Sequence, residues 1–161
     1  MKYLTFLPVI ALALIACHTS PDKRDAQHLH HFSEKKMPLT YHPGFGDFMA
    51  NIQVHHAKLW FAGINENWRL ADFEKHEIEE TLENIKNFKA EKKETPQLSL
   101  LSPLLDSIGH SIRTKNVSSF KSNYTQLTNG CNACHRAANH DFINIKTPDI
   151  SPVPNQSYRP E

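Results

Sequence analysis

Residues Asn116 to His140 read NVSSFKSNYTQLTNGCNACHRAANH. Val117, Phe120, Tyr124, Leu127, Cys131, Cys134 and Ala138 fall at alternating steps of three and four residues, which is one face of an α-helix. Asn116 stands just ahead of the first of them, where an amide side chain caps a helix start. The spacing predicts a long amphipathic helix ending in two cysteines one turn apart. Both lie on its buried stripe, and His135 follows the second directly.

Upstream the same period returns. Phe45, Phe48, Met49, Ile52, His56, Leu59, Trp60 and Gly63 share one helical face, with Asp47 in its first turn and Gly63 placed to end it. A second helix is expected from about Asn65 to Glu91, its inner stripe running through Trp68, Ala71, Ile78, Leu82, Ile85 and Phe88 or Lys89. Thr95-Pro96 lies beyond its end. Ser102-Pro103 then opens a third helix, serine as cap and proline at the first position, with Leu104, Leu105, Ile108 and Ile112 facing inward. There is no strand-like alternation, internal repeat or glycine-rich phosphate loop. Four helices with short connections predict an all-α, up-down-up-down four-helix bundle over residues 44–142, in which Trp60 and Trp68 are packing anchors. Pro148, Pro152, Pro154 and Pro160 mark 143–161 as an irregular tail.

With 18 Lys and Arg against 17 Asp and Glu, the chain has no basic surplus for a phosphate backbone, so nucleic acid is excluded as a partner. The N-terminus, MKYLTFLPVIALALIAC, joins one lysine to an apolar core too short to span a bilayer, and residues 1–16 read as an export signal. Leu14-Ile15-Ala16-Cys17 resembles the lipobox of bacterial lipoproteins, in which the cysteine is lipidated and heads the mature chain. The alternative is an ordinary signal that ends near a cysteine. His18 is not the aspartate that resembles an inner-membrane retention signal, so the outer membrane is the expected anchor site. Residues 17–43, with prolines and no apolar period, read as a tether. Its His28, His30 and His31 would hold a metal only with ligands the spacing does not supply, so a solvated linker is the plainer reading.

Cys131, Cys134 and His135 then require a use outside the cytoplasm, where a spare thiol pair does not stay reduced. C-x-x-C-H is the attachment signature of c-type haem. Each thiol adds to one vinyl group of the porphyrin, cysteines at i and i+3 share a helical face, and a histidine at i+4 from the first offers its imidazole to the iron. A thioredoxin-like pair would open a helix after a strand. A zinc site would want a second Cys/His pair where only His140 is near. A disulfide between i and i+3 of one helix has poor geometry.

The stretch from Asn116 to His140 resembles the last helix of the cytochrome c′ family: an Asp- or Asn-led start, F-x-x-x-[FY]-x-x-[LV], then C-x-x-C-H near the chain end. In layout the resemblance spans about Gly44 to Asp141. The lipobox, His-rich tether and Pro-rich tail depart from the family. The resemblance implies a four-helix bundle with one covalent haem c on the last helix, working in the periplasm, with pairing of two bundles as a homodimer frequent in the family. Ordinary class I cytochromes c are set aside because no methionine follows His135.

The sixth iron ligand decides what such a protein does. His135 lies 18 residues beyond Val117, and the same count back from Gly63 reaches Phe45. If the first and last helices run oppositely, the haem level falls near Phe45 to Met49. Met49 is the expected distal ligand, with Gln53 one turn deeper; its alternative is a core methionine. His56, displaced by ~10 Å along the axis, is the fallback, its alternative being a hydrogen-bonded histidine. Methionine ligation implies a membrane-tethered electron carrier with periplasmic or membrane redox partners. An apolar cover from Phe48 or Ile52 would leave iron five-coordinate and, by the same resemblance, a binder of nitric oxide. A metal-handling lipoprotein using the tether is a third reading. Nothing in the sequence makes an acid/base pair or substrate pocket, so no enzyme is expected.

Overall fold

Three of the four α-helices begin at a side chain that catches a free backbone N–H. The computed structural model describes residues 42–161. The Asp47 carboxylate accepts from the Gly44 N–H at 2.7 Å and opens α1, Phe45–Ile64. Asn67 accepts from the Leu70 N–H at 3.2 Å and opens α2, Trp68–Phe88. A 3-10 helix, Thr95–Leu101, runs straight into α3, Ser102–Arg113. Asn116 accepts from the Ser119 N–H at 2.9 Å and opens α4, Val117–Ala137. The described residues thus hold four α-helices and no strand, the all-α class expected.

Several local expectations are corrected. Gly63 does not end α1 but lies buried in its last turn, where a Cβ would stand 2.1 Å from the Phe120 ring. The glycine is there for close approach, against a helix penalty of about 1 kcal/mol. Glu66, at a left-handed φ of 58°, makes the break, so α2 starts at Trp68 rather than Asn65. Its stripe ends at Ile85, because Phe88 is 65 % exposed and closes the helix. Ser102 is not a cap: the 3-10 helix delivers the chain there already helical, at φ −54° and ψ −54°.

Contacts along α1 and α4 run in opposite numerical order. Gly63 and Trp60 meet Phe120, Trp60 meets Tyr124 at 4.9 Å between ring centroids, and His56 meets Tyr124 and Thr128. The α1–α2 seam is pinned by Glu74, 0 % exposed, which accepts from His55 Nδ1 at 2.6 Å and forms an ion pair with Lys58 Nζ at 2.7 Å. Between α3 and α4, the Asn123 amide donates to the Ser107 carbonyl at 3.0 Å and Ser111 Oγ at 2.8 Å. Trp60 stacks on Phe120 and Trp68 meets it edge-on, the packing role expected of them.

Residues 143–161 contain no helix or strand, yet they are packed: Tyr158 is buried with its ring 5.5 Å from Phe61. Among the described residues no helix is long and apolar enough to cross a membrane. The signal segment 1–16, Cys17, and the histidines His28, His30 and His31 lie outside the described residues.

Candidate cofactor site

The end of α4 is shaped by an asparagine. Asn139 takes φ 59°, a left-handed position that asparagine tolerates better than most residues. The His140 N–H then bonds the His135 carbonyl at 2.7 Å and the Asn139 N–H bonds the Arg136 carbonyl at 3.1 Å, a Schellman turn. This reverses the chain, a further turn closes from the Ile143 N–H to the His140 carbonyl at 2.9 Å, and residues 140–145 return over the last turns of the helix.

His135 meets the returning segment. Its Nδ1 lies 2.9 Å from the Ile143 carbonyl oxygen. A carbonyl only accepts, so Nδ1 carries the proton. In the neutral ring Nε2 then holds the lone pair, which is the tautomer that binds a metal. One turn higher, Asn132 is buried and grips the same segment with both ends of its amide. Nδ2 donates to the Ile145 carbonyl at 2.7 Å, and Oδ1 accepts from the Ile145 N–H at 2.7 Å.

Cys131, Cys134 and His135 open on a cavity of about 530 Å³. From α1 its wall takes Phe45, Met49, Ile52, Gln53 and His56. Leu82 of α2, Leu98 and Leu101 of the 3-10 helix, and Phe142, Ile143 and Ile145 add apolar surface, and Lys92, Glu94 and His140 also line it. The volume lies within the ~300–1,000 Å³ range of cofactor and small-molecule sites, and the lining is mostly apolar with few polar groups, as such sites are. The residues expected to attach or ligate haem in the described part of the sequence line this cavity, the two thiols and His135 on α4 and Met49 and His56 on α1; of the two expected apolar covers Ile52 lines it and Phe48 does not.

His56 differs from Met49 in being spoken for. Its Nδ1 lies 2.9 Å from the Tyr124 hydroxyl and its Nε2 3.0 Å from Thr128 Oγ1. A neutral ring fits this set if Tyr124 donates to Nδ1 and Nε2–H donates to Thr128, whose hydroxyl donates to the Tyr124 carbonyl at 2.9 Å. Burial pushes the His56 pKa down to about 4, so the neutral ring is the form held at pH 7, and burial raises that of Tyr124. As an iron ligand His56 would first have to give up one of these bonds. Met49, half-buried on the cavity wall, has no hydrogen bond to break.

No family model, curated protein or solved structure matches this chain.

The chemistry of the donor set separates the alternatives. Burial, then the neighbouring Cys134, pushes the Cys131 thiol up to about 11. Burial, then Glu94, raises Cys134 as well. Dithiol oxidoreductases do the opposite, lowering a thiol so that it attacks as thiolate. Both cysteines are free thiols. Among the described residues, no three or more His, Cys, Asp and Glu side chains converge as a metal site. Two thiols one turn apart, the His135 imidazole beside them in the metal-binding tautomer and a mostly apolar cavity fit a haem. Periodicity did not point to Asn132, Ile143 or Ile145. The available signal was Asn139, an asparagine one place beyond the helix end.

Proposed function

We propose that the chain is an exported mono-haem c-type cytochrome that carries electrons on the periplasmic side of a bacterial membrane. In this reading the helices form an up-down-up-down bundle with the haem on the last one, as in the cytochrome c′ proteins that the sequence resembles. The observation that carries it is His135 on a cavity wall beside Cys131 and Cys134, with Nδ1 tied to the Ile143 carbonyl and Nε2 left for iron. Bound there, haem supplies a one-electron iron couple. Cys131 and Cys134 would each add S–H across a vinyl group to form a thioether, and the protonated state in which burial keeps them leaves that hydrogen in place. Met49 is the distal ligand in this proposal, since a thioether favours ferrous iron and six-coordination suits electron transfer. The apolar side chains of Ile52, Leu82, Leu98 and Leu101 would shield that side of a bound haem from water. Lipid on Cys17 would tether the protein to the outer membrane, within reach of redox partners.

A second reading, a nitric-oxide binder, is favoured by one feature: Ile52, one of the two expected covers, lines the same wall as Met49, and Phe45 lines it where Phe48 was expected, so that either could cover the distal face. Visible spectra of the oxidised and reduced protein, with and without nitric oxide, separate the two. Low-spin iron that turns high-spin and gains nitric oxide affinity in Met49→Ala supports the electron carrier. High-spin wild type unchanged by Met49→Ala makes gas binding the function, and a chain without a haem spectrum refutes both.

A further inference from the structure

We infer that Asn132 is a positioning residue for the axial histidine, acting through the segment 139–145; this rests on the haem reading above. The His135 imidazole is oriented by a backbone carbonyl, and a carbonyl orients only as well as its own segment is fixed. That segment contains no helix or strand to fix it. It is held at one end by the Schellman turn at Asn139 and at the other by Asn132, whose amide matches the donor and acceptor of Ile145 at 2.7 Å each. Ile143, whose oxygen receives the His135 proton, lies between the two clamps. Asn132 is itself 9 % exposed and sits between the two haem-bearing cysteines, where a surface spacer residue would do for attachment alone.

The pairing needs an amide in particular. Only Asn or Gln offers one donor and one acceptor side by side to a single residue's N–H and C=O, and Gln is longer by one methylene. A hydrogen bond from Nδ1–H raises the basicity of the metal-bound nitrogen and favours the ferric state. Releasing Ile145 loosens the Ile143 carbonyl, weakens that bond and shifts the balance toward ferrous iron. Removal of such outer partners typically changes metal-site properties by ~10–100-fold. For a one-electron couple a tenfold shift is about 59 mV.

The test compares wild-type holoprotein with Asn132→Ala, made in a host that attaches haem c. Wild type without haem on the denatured polypeptide overturns the cytochrome reading and this inference with it. With haem present, Asn132→Ala should exchange the His135 Nδ1 proton at least ~10-fold faster by NMR and raise the midpoint potential by ~59 mV. Unchanged exchange and potential leave the cytochrome reading standing and overturn the role of Asn132. If Asn132→Ala does not accumulate with haem, wild type alone decides. The Ile145 amide and the His135 Nδ1 proton should then show protection factors within ~10-fold of each other, since one opening releases both. Independent protection overturns the inference.

Discussion

At one end of the α1–α4 contact, Gly63 lies so close to Phe120 that a Cβ would stand 2.1 Å from the ring; at the other, Met49 and Cys131 face a cavity of about 530 Å³. The same two helices run through both ends. At the closed end the residues are shaped to one another: Trp60, Trp68, Phe120 and Tyr124 pack ring against ring, stacked, tilted and edge-on, and a glycine makes the room. The hollow end is instead held from outside, by the Asn132–Ile145 pair and the His135–Ile143 bond. His56, bonded to Tyr124 and Thr128, is the floor between them. Shape fixes one end and polar ties fix the other, and the ties sit where the chemistry-bearing side chains are.

Loss of a ring at the closed end should therefore be the most destabilising change. Phe120→Ala removes a fully buried ring and digs a second hollow beside Trp60, with an expected loss of ~3–5 kcal/mol. Denaturant unfolding of the purified protein measures it, and a loss below ~1 kcal/mol would show that the ring cluster is not what closes this end.

The floor should respond to acid. The His56 pKa is lowered from 6.5 to about 4 in the fold, so below 6.5 the unfolded chain binds a proton that the folded one refuses. Stability from this group is complete above pH 6.5 and is lost as pH falls toward 4, by up to about 3 kcal/mol. His56→Gln should flatten that part of the pH dependence. Parallel pH profiles for wild type and His56→Gln would mean that His56 gains its proton without disturbing the floor.

Gly63→Ala should have the smallest effect. Alanine favours the helix by about 1 kcal/mol, while forcing a methyl into the Phe120 ring costs ~1–3 kcal/mol, so the clash wins narrowly. Thermal unfolding reads the sign. A stabilised Gly63→Ala protein would show that the ring has somewhere to go.

The last helix could be read from sequence almost to the residue, because the stripe from Phe120 to Ala138 and the cap at Asn116 both follow from local rules. The break at Glu66 could not, since glutamate is not a residue that asks for a left-handed backbone. Nor could the lost cap at Ser102. That depends on the preceding turns already being 3-10 helical, which Thr95-Pro96 alone does not dictate. On the site, C-x-x-C-H and the level of Met49 along α1 were visible from spacing, and both face the cavity. The bonds that engage His56 come from residues 68 and 72 positions away, a distance at which periodicity carries no information. The tail was the largest gap. Its prolines hide the fact that Ile143 and Ile145 fold back, and only Asn139 announces the turn that brings them.

Covalent haem is the central claim, and one measurement addresses it directly. Wild type and Cys131→Ala/Cys134→Ala are expressed with their export signal in a bacterium competent for haem c attachment, denatured and separated by size. The account predicts haem running with the wild-type polypeptide, an intact mass raised by one haem group, and neither in the double variant. Exported wild type without bound haem, or haem that stays on the denatured double variant, would contradict it.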